Sequence, residues 1–308
     1  MPDQLQQYER KFRRIARQIS PLEIQSLYEH EDMSWDDLFL GNKPAQGSSL
    51  FLGKFSQSGI ELVMDRFGFY RRARNRGLRD IQVVMDTSDP FQHILRIYNG
   101  DQHVAKNLVM EFVARYQTLR PSAEHVGISF PDSLNVLKIE WLTLQNPTRS
   151  FTSRRPRLPG QEYPGLGMGD AVMALFTLMG RYLKIDGFIN VPEHFHTAIM
   201  FSRRYVFLNI QHEARMRVLS RDLWQKYRLS VIAWAAELGA ISERNSGEML
   251  VWEPHKQIMP LKRSLRAYFS GAEVKAAIEA ECQKLSYRLD EEKLREALAA
   301  MESPPLTV

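Results

Sequence analysis

The stretch Tyr163–Gly169 is the sequence feature that most limits how this chain can fold. It reads YPGLGMG, with glycines at three alternate positions, and it runs directly into an apolar segment that begins at Asp170. Glycines let main-chain N–H groups approach one another without side chains between them. Because a helix is expected next, those N–H groups would lie at its positive N-terminal end. The stretch therefore predicts a tight turn that can bind a phosphate or pyrophosphate.

Other phosphate-binding patterns fit this stretch less well. The dinucleotide-binding pattern Gly-x-Gly-x-x-Gly would need a third glycine where Asp170 stands, and it would follow a strand rather than a proline-rich linker. The chain contains no Gly-x-x-x-x-Gly-Lys sequence, which excludes a P-loop. A helix-entry loop that binds no ligand is the remaining alternative.

The composition is that of a globular chain, with 44% apolar and 25% charged residues among 308. The net charge of +5 is compatible with an anionic ligand or partner. Cys282 is the single cysteine, which excludes an internal disulfide framework and a cysteine-rich zinc site. The N-terminus lacks the apolar core of a signal peptide, and no apolar run is long enough to span a bilayer. We therefore expect a cytoplasmic protein that does not bind membranes.

Hydrophobic periodicity divides the chain into three regions. Residues 3–19 predict an amphipathic helix, and Pro21 predicts the start of a second, short one. A break rich in glycine, proline and serine at 42–49 is followed by an expected strand at 50–55 and by a helix capped by Ser58. The expected domains are an N-terminal helical segment (1–45), a central domain (46–210) and a mainly helical C-terminal region (211–308).

The central domain changes from helical to strand periodicity near residue 80. Short apolar runs bounded by turn residues predict four strands in an antiparallel meander, and Asn99-Gly100 is a hairpin signal. A linker rich in proline and arginine follows at 145–162. The expected strands are 80–86, 93–98, 108–116 and 136–144, and the glycine turn then leads to a helix ending near 183, a strand at 186–191, a short helix at 197–203 and a strand at 205–209.

This order of elements, from about residue 80 to 209, resembles the central part of the GNAT superfamily of N-acyltransferases. The family's turn commonly reads Tyr-Arg-Gly-x-Gly-Ile-Gly, and here it reads Tyr163-Pro-Gly-Leu-Gly-Met-Gly169. Ala198–Phe201 and Tyr205–Phe207 lie where members have an Asn-x-x-Ala-x-x-x-Tyr helix and a closing Gly-Phe. The resemblance implies an α+β fold with a mixed, mainly antiparallel twisted sheet and flanking helices, extended by helices at both ends.

The resemblance also implies a function, namely transfer of an acyl group from acetyl-CoA or another acyl-CoA, as co-substrate, to an unidentified amine. It implies that a strand backbone holds the pantetheine and supplies an oxyanion donor. Glu140 is the implied general base, and Glu111 is the second candidate. The implied coenzyme-binding residues are Trp141, Leu142, Thr143 and Leu144 on the strand, and Gly165, Leu166, Gly167, Met168 and Gly169, whose amides would hold the pyrophosphate.

The sequence departs from the family pattern at catalytic positions. Pro164 replaces the usual arginine or glutamine, and Ser202 stands where the family has a tyrosine that protonates the leaving thiolate. Phe195 replaces the asparagine, beside His194 and His196, and a histidine acting as acid or base there is our own hypothesis. These departures leave a second interpretation open, a GNAT-like binding or interaction module that has lost the chemistry.

The remaining polar clusters are assigned more cautiously. If they lay on a strand, His194 and His196 would share one face, but with Glu193 they do not complete a set of metal ligands, so we expect a site-lining or helix-capping role and no metal. Arg155 and Arg157, next to the turn, are candidates for phosphate contact, and a solvated basic surface is the alternative. Nucleic acid is not expected as a partner, because no nucleic-acid recognition motif is present. The oligomeric state is left open.

Overall fold

A computed structural model of the chain describes residues 4–25, 50–120, 133–302 and 305. The chain divides into two compact units. Unit 1 comprises the described residues of Met1–Tyr116 together with Ile139–Thr148 and Gly165–Leu183. Unit 2 comprises those of Gln117–Lys138, Arg149–Pro164 and Lys184–Val308. The C-terminal region thus shares a unit with part of the central region, and the three sequence-based domains stay a prediction.

The described residues form helices at both ends of the chain and between the strands. They are α1 (Gln4–Ala16), α2 (Pro21–Gln25), α3 (Gln57–Arg66), α4 (Phe69–Arg74), α5 (Gly169–Tyr182), α6 (Phe195–Phe201), α7 (Ile210–Leu223), α8 (Leu229–Glu237), α9 (Arg263–Ser270), α10 (Ala272–Cys282) and α11 (Glu291–Ala299).

The strands form two sheets. They are β1 (Ile81–Asp86), β2 (His93–Asn99), β3 (Leu108–Leu119), β4 (Leu134–Leu144), β5 (Gly187–Asn190), β6 (Val206–Phe207), β7 (Ile241–Glu243), β8 (Gln257–Pro260) and β9 (Tyr287–Leu289). A sheet of seven strands has the order β1-β2-β3-β4-β5-β8-β6, and β7 pairs with β9. The β1/β2, β2/β3, β5/β8 and β8/β6 pairs are antiparallel, whereas β4 and β5 are parallel. The predicted α+β class with a mixed, mainly antiparallel sheet is confirmed.

Unit 1 is held together by the apolar stripe of α1. Leu5 and Phe12 recur two helical turns apart and are both 1% exposed. The ring of Phe12 packs edge-to-face against that of Phe67, with ring centroids 4.8 Å apart. α1 also packs against α5, the helix that follows the glycine turn. The turn is therefore attached to a buried helix rather than to a surface loop.

Two local predictions in unit 1 are wrong. Residues 50–55 form a tight turn closed by mutual hydrogen bonds between Phe51 and Phe55, not a strand, because Leu52 and Gly53 both adopt left-handed backbone angles. The cap of α3 is Ser56 rather than Ser58, since the Ser56 hydroxyl accepts a hydrogen bond from the Gly59 amide at 3.0 Å.

Unit 2 contains strands that the sequence did not predict. β8 lies between β5 and β6 in the large sheet, so the region after residue 211 is not purely helical. Its residues Gln257–Met259 are buried, with Ile258 fully enclosed. Residues 249–253 form no strand, and Met249 makes only a single bridge to Ser242. α8 ends at Glu237, and Gly239, with a left-handed φ of 66°, follows two residues later, as is common after a helix C-terminus.

Candidate functional site

The glycine turn of unit 1 exposes its glycines and buries the residues between them. Gly165, Gly167 and Gly169 are exposed, whereas Leu166 and Met168 are 2% and 4% exposed. The two apolar side chains therefore anchor the turn in the core, and the glycine main chain forms its outer surface. The fold in this way presents bare backbone to solvent at the start of α5.

Most of the amides on this surface remain available. The Leu166 amide donates to the Leu144 carbonyl at 3.1 Å, and Gly165 bridges Gln145 at the end of β4. The amides of Gly167, Met168 and Gly169 have no acceptor among the residues that the structure describes. They begin α5, whose N-cap Met168 makes no side-chain capping bond. Such groups at a helix N-terminus attract anions.

Space around the turn is open where a ligand would approach. A Cβ added at Gly169 would meet no atom within 4 Å, and one at Gly165 would meet only the Leu144 carbonyl oxygen, at 3.8 Å. Gly167 differs, because its φ of 67° favours glycine whatever the surroundings. The fold thus requires a glycine at 167 but neither at 165 nor at 169.

Arg76 contacts the carbonyl side of this turn, a position that the sequence did not indicate. Its guanidinium donates to the carbonyls of Leu166 at 2.7 Å, of Gly167 at 3.1 Å and of Arg72 at 3.0 Å. By holding the turn's carbonyls, it fixes the peptide planes whose amides point the other way. The contact joins residues about 90 positions apart, so no local sequence signal could have revealed it.

The predicted pantetheine strand lies in unit 1 with the turn. Trp141 is 47% exposed and its indole N–H donates to the Thr143 hydroxyl at 2.8 Å. Leu142, Thr143 and Leu144 are partly buried. The ladder between β4 and β5 covers only Val136–Lys138 against Gly187–Ile189, so it ends before this stretch. The structure therefore brings Trp141–Leu144 and the glycine turn together through the Leu144–Leu166 hydrogen bond.

Both carboxylates proposed as general base form ion pairs with arginines. The Glu140 Oε1 atom lies 2.5 Å from Arg115 Nε, and Glu111 Oε1 lies 2.7 Å from Arg96 Nε, directly across β2 and β3. The side chains of Glu140 and Glu111 are 24% and 21% exposed. Each carboxylate therefore has one oxygen bound to a guanidinium in this structure.

His194 and His196 do meet in unit 2, although not on a strand. His194 is the N-cap residue of α6 and His196 lies in its first turn, with ring centroids 5.4 Å apart and nearly parallel. His194 makes no capping bond; its Nδ1 lies 3.0 Å from Glu237 Oε2. A Cβ on Gly160 would come within 2.4 Å of His194 Nε2, so this ring edge is packed against the linker. The expectation of helix capping by these side chains is therefore wrong for His194.

His196 is buried and electrostatically unusual. Burial, with a smaller contribution from His194, lowers the pKa of His196 to about 4. Its Nδ1 is buried and has no hydrogen-bond partner within the described part of the chain. No group of three or more His, Cys, Asp or Glu side chains among the described residues is placed to hold a metal ion. The pair is consistent with a neutral, packed imidazole beside a carboxylate-bound one.

The other predicted residues of unit 2 have structural contacts of their own. The Ser202 hydroxyl donates to the Ile199 carbonyl at 2.7 Å at the end of α6. Arg155 closes a small turn with Thr152 through two backbone hydrogen bonds. The Arg157 guanidinium lies 5.7 Å from the ring centre of Trp234, whose indole N–H donates to the Arg157 carbonyl at 2.8 Å. Phosphate contact by Arg155 and Arg157 stays a prediction.

Comparisons with known proteins add little to this geometry. No family model matches the chain, and no curated protein matches it. One solved structure, described as "Crystal structure of bacterial toxin", is 10% identical with a TM-score of 0.28, over 57% of this chain and 71% of that one. A TM-score this low carries no information about the fold or function of this chain. Among the described residues, no helix combines the length and apolarity needed to cross a membrane.

Proposed function

We propose that this chain binds an acyl-coenzyme A at the glycine turn and transfers its acyl group to an amine. The observation that carries the proposal is the set of unused amides at Gly167, Met168 and Gly169, at the N-terminus of α5. A pyrophosphate is the part of acyl-CoA that such a turn would bind, because its oxygens accept hydrogen bonds and its charge is favoured at that helix end.

The order of the elements supports the same interpretation. The antiparallel strands β1 to β3, then β4, the glycine turn, α5, β5, α6 and β6 follow one another as the GNAT resemblance implies. β5 runs parallel to β4, and the strands before β4 are antiparallel. A parallel return after a helix places the turn at the C-terminal end of β4, next to Leu144.

Residues 141–144 would then bind the pantetheine arm. This part of β4 continues beyond the ladder with β5, which ends at Lys138. Strand backbone that continues past a ladder offers N–H and C=O groups to an extended ligand, as in peptide recognition by strand addition. A backbone N–H of this stretch would stabilise the oxyanion that forms on the thioester carbonyl.

The chemistry we propose is direct transfer. The Glu140 carboxylate would take a proton from the acceptor's ammonium group, and the resulting amine would attack the thioester carbonyl. The C–N bond forms, the nitrogen loses its second proton to solvent, the C–S bond breaks, and the coenzyme leaves as a thiolate that takes a proton from solvent. In this role Glu140 would act as the general base while its Oε1 atom is paired with Arg115.

The experiment that tests binding is a titration with acetyl-CoA followed by thermal unfolding. A ligand bound to the folded state at one hundred times its Kd stabilises the protein by about 2.7 kcal/mol. Catalysis is then tested by release of free coenzyme thiol in the presence of a panel of primary amines, with Glu140→Gln as the variant and Glu111→Gln as the matched control. Release by wild type that is lost in Glu140→Gln alone supports the assignment of the base.

A binding module without acyl transfer is the second candidate, and specific observations favour it. Glu140 and Glu111 are both bound to arginines, and the Ser202 hydroxyl is used within α6. Asp170 also places a negative charge in the first turn of α5, which opposes a second anion there. Stabilisation by acetyl-CoA without thiol release from any amine would establish this candidate, and no stabilisation by any acyl-CoA would refute both.

A further inference from the structure

Unit 1 carries a concentration of exposed cations apart from the glycine turn. Residues 66–79 contain six arginines and no acidic residue, and α1 with the residue after it contains five more cations. Of these arginines and lysines, we call the basic surface those that are exposed and form no ion pair with another described residue. Its members are Arg10, Lys11, Arg14, Arg17, Arg66, Arg71, Arg74 and Arg79.

The neighbouring arginines that serve the fold are distinct from this surface. Arg72 donates to the carbonyls of Phe67 and Gly68 at 2.6 and 2.9 Å, and its guanidinium lies 5.0 Å from the ring centre of Tyr8. Arg72 thereby joins α4 to α1, so the two helices that carry most of the basic surface are packed neighbours within unit 1. Arg76 binds the glycine turn, and Arg13 pairs with Glu9.

The surface offers charge but little apolar area. The apolar residues of α1, Leu5 and Phe12, are both 1% exposed within the core, so α1 cannot insert them into a lipid interface. Tyr8 is partly buried beneath Arg72, and none of the large exposed apolar side chains of the described residues lies between 4 and 19 or between 66 and 79. The surface therefore lacks the exposed aromatic platform that single-stranded nucleic acids stack on.

We propose that the basic surface binds the phosphate backbone of a double-stranded nucleic acid without reading its sequence. Arginine predominates, and its planar guanidinium binds phosphate oxygens through paired hydrogen bonds. α1 is 13 residues long, and at 1.5 Å per residue it spans about 20 Å. Because one strand carries a phosphate about every 3.4 Å along the axis, several phosphates lie within reach of this helix.

This proposal departs from the expectation drawn from sequence motifs. That expectation rested on the absence of elements that read bases, whereas backbone contact needs only positioned cations. The number of exposed arginines also exceeds what the phosphates of one coenzyme require. The proposal is independent of acyl transfer, since none of its residues belongs to the glycine turn.

The test is fluorescence anisotropy of a short labelled RNA duplex, repeated with a DNA duplex of the same sequence, at salt concentrations from about 50 to 200 mM. The variant is Arg10→Glu/Arg14→Glu/Arg17→Glu. The control, Arg263→Glu/Arg266→Glu/Lys275→Glu, makes the same change in net charge at exposed positions of unit 2. A second variant, Arg71→Glu/Arg74→Glu on α4, keeps the test decisive if the first does not fold.

Wild type is expected to bind a duplex with an affinity that falls steeply with salt. Removing three phosphate contacts should lower the slope of log K against log salt by about 3 and weaken binding more than tenfold. The control should bind with an affinity within about twofold of that of wild type. The duplex, RNA or DNA, that wild type binds with the higher affinity identifies the partner. The proposal is overturned if wild type binds neither duplex at low salt, or if the control loses as much affinity as the variants.

Discussion

Replacing Gly169 with aspartate would separate the stability of the glycine turn from its affinity for an anion. Gly169 is the first residue of α5, and a Cβ there meets no atom within 4 Å. A carboxylate in the first helical turn interacts favourably with the helix dipole, by about 0.3–1 kcal/mol. The free protein should therefore be as stable as wild type or slightly more stable.

Anion binding should respond in the opposite direction. A carboxylate about 5 Å from a phosphate charge, at an effective dielectric constant near 20, repels it by about 3 kcal/mol. That energy corresponds to a loss of about a hundredfold or more in affinity for acetyl-CoA. The substitution also places an acceptor beside the amides that the ligand would use, which acts in the same direction.

Isothermal titration of acetyl-CoA, with urea unfolding of the free proteins, measures both quantities. Gly169→Asn is the matched control, because it has the shape of aspartate without the charge, and Gly169→Ala adds only a methyl group. The reasoning is refuted if the aspartate and asparagine variants bind acetyl-CoA with equal affinity and wild type binds it no more tightly than they do. It is also refuted if the aspartate variant unfolds at markedly lower urea, since the turn would then need the glycine for folding.

Three further predictions concern Arg76 at the glycine turn and the pair of histidines, His194 and His196. Arg76→Met removes three bonds from a charged donor to carbonyls, and should lower the free energy of unfolding by about 2–3 kcal/mol and weaken acetyl-CoA binding; unchanged urea unfolding would contradict this. The lowered pKa of His196, about 4 against 6.5, means that the unfolded chain binds a proton between these pH values that the folded protein does not, so stability should fall as pH drops through that window. The loss is at most about 3 kcal/mol, and His196→Gln should flatten this part of a urea-unfolding pH profile, which an identical profile would disprove. Gly160→Ala should destabilise, because Gly160 has a φ of 70° and its new Cβ would contact His194; adding His194→Ala should recover part of the loss, and no recovery would exclude the contact as a cause.

Much of unit 1 could be predicted because its signals are local. β1, β2 and β3 are bounded by turn residues and start within a residue or so of where their patterns place them, and α5 follows the glycines directly. The turn at 50–55 could not be predicted, because it depends on a left-handed Leu52, a conformation that no leucine signals. β8 was missed for a related reason, since three of its four residues are buried in succession and show no alternation.

In the candidate site, too, the features that are local in sequence could be predicted and the contacts between distant residues could not. The exposed glycines and their helix are consecutive in sequence, whereas Arg76 contacts them from a segment 90 residues earlier. Its role depends on the path of the chain between residue 76 and residue 166, which no spacing rule encodes. The same holds for the Glu237 partner of His194, which lies 43 residues away on α8.

The glycines at 165 and 169 are the part of this sequence that the fold itself does not explain. Gly167 is accounted for by its left-handed backbone, but alanine would fit at both other positions, with open space or an ordinary contact. Where alanine can adopt the native backbone angles, a glycine costs about 0.4–1 kcal/mol relative to alanine through the flexibility of the unfolded chain. Residues that lower stability without a structural reason are expected where a ligand must approach the backbone closely. Leu166 and Met168 anchor the turn and Arg76 holds its carbonyls, so its glycine surface has the features that the anion site we propose would need.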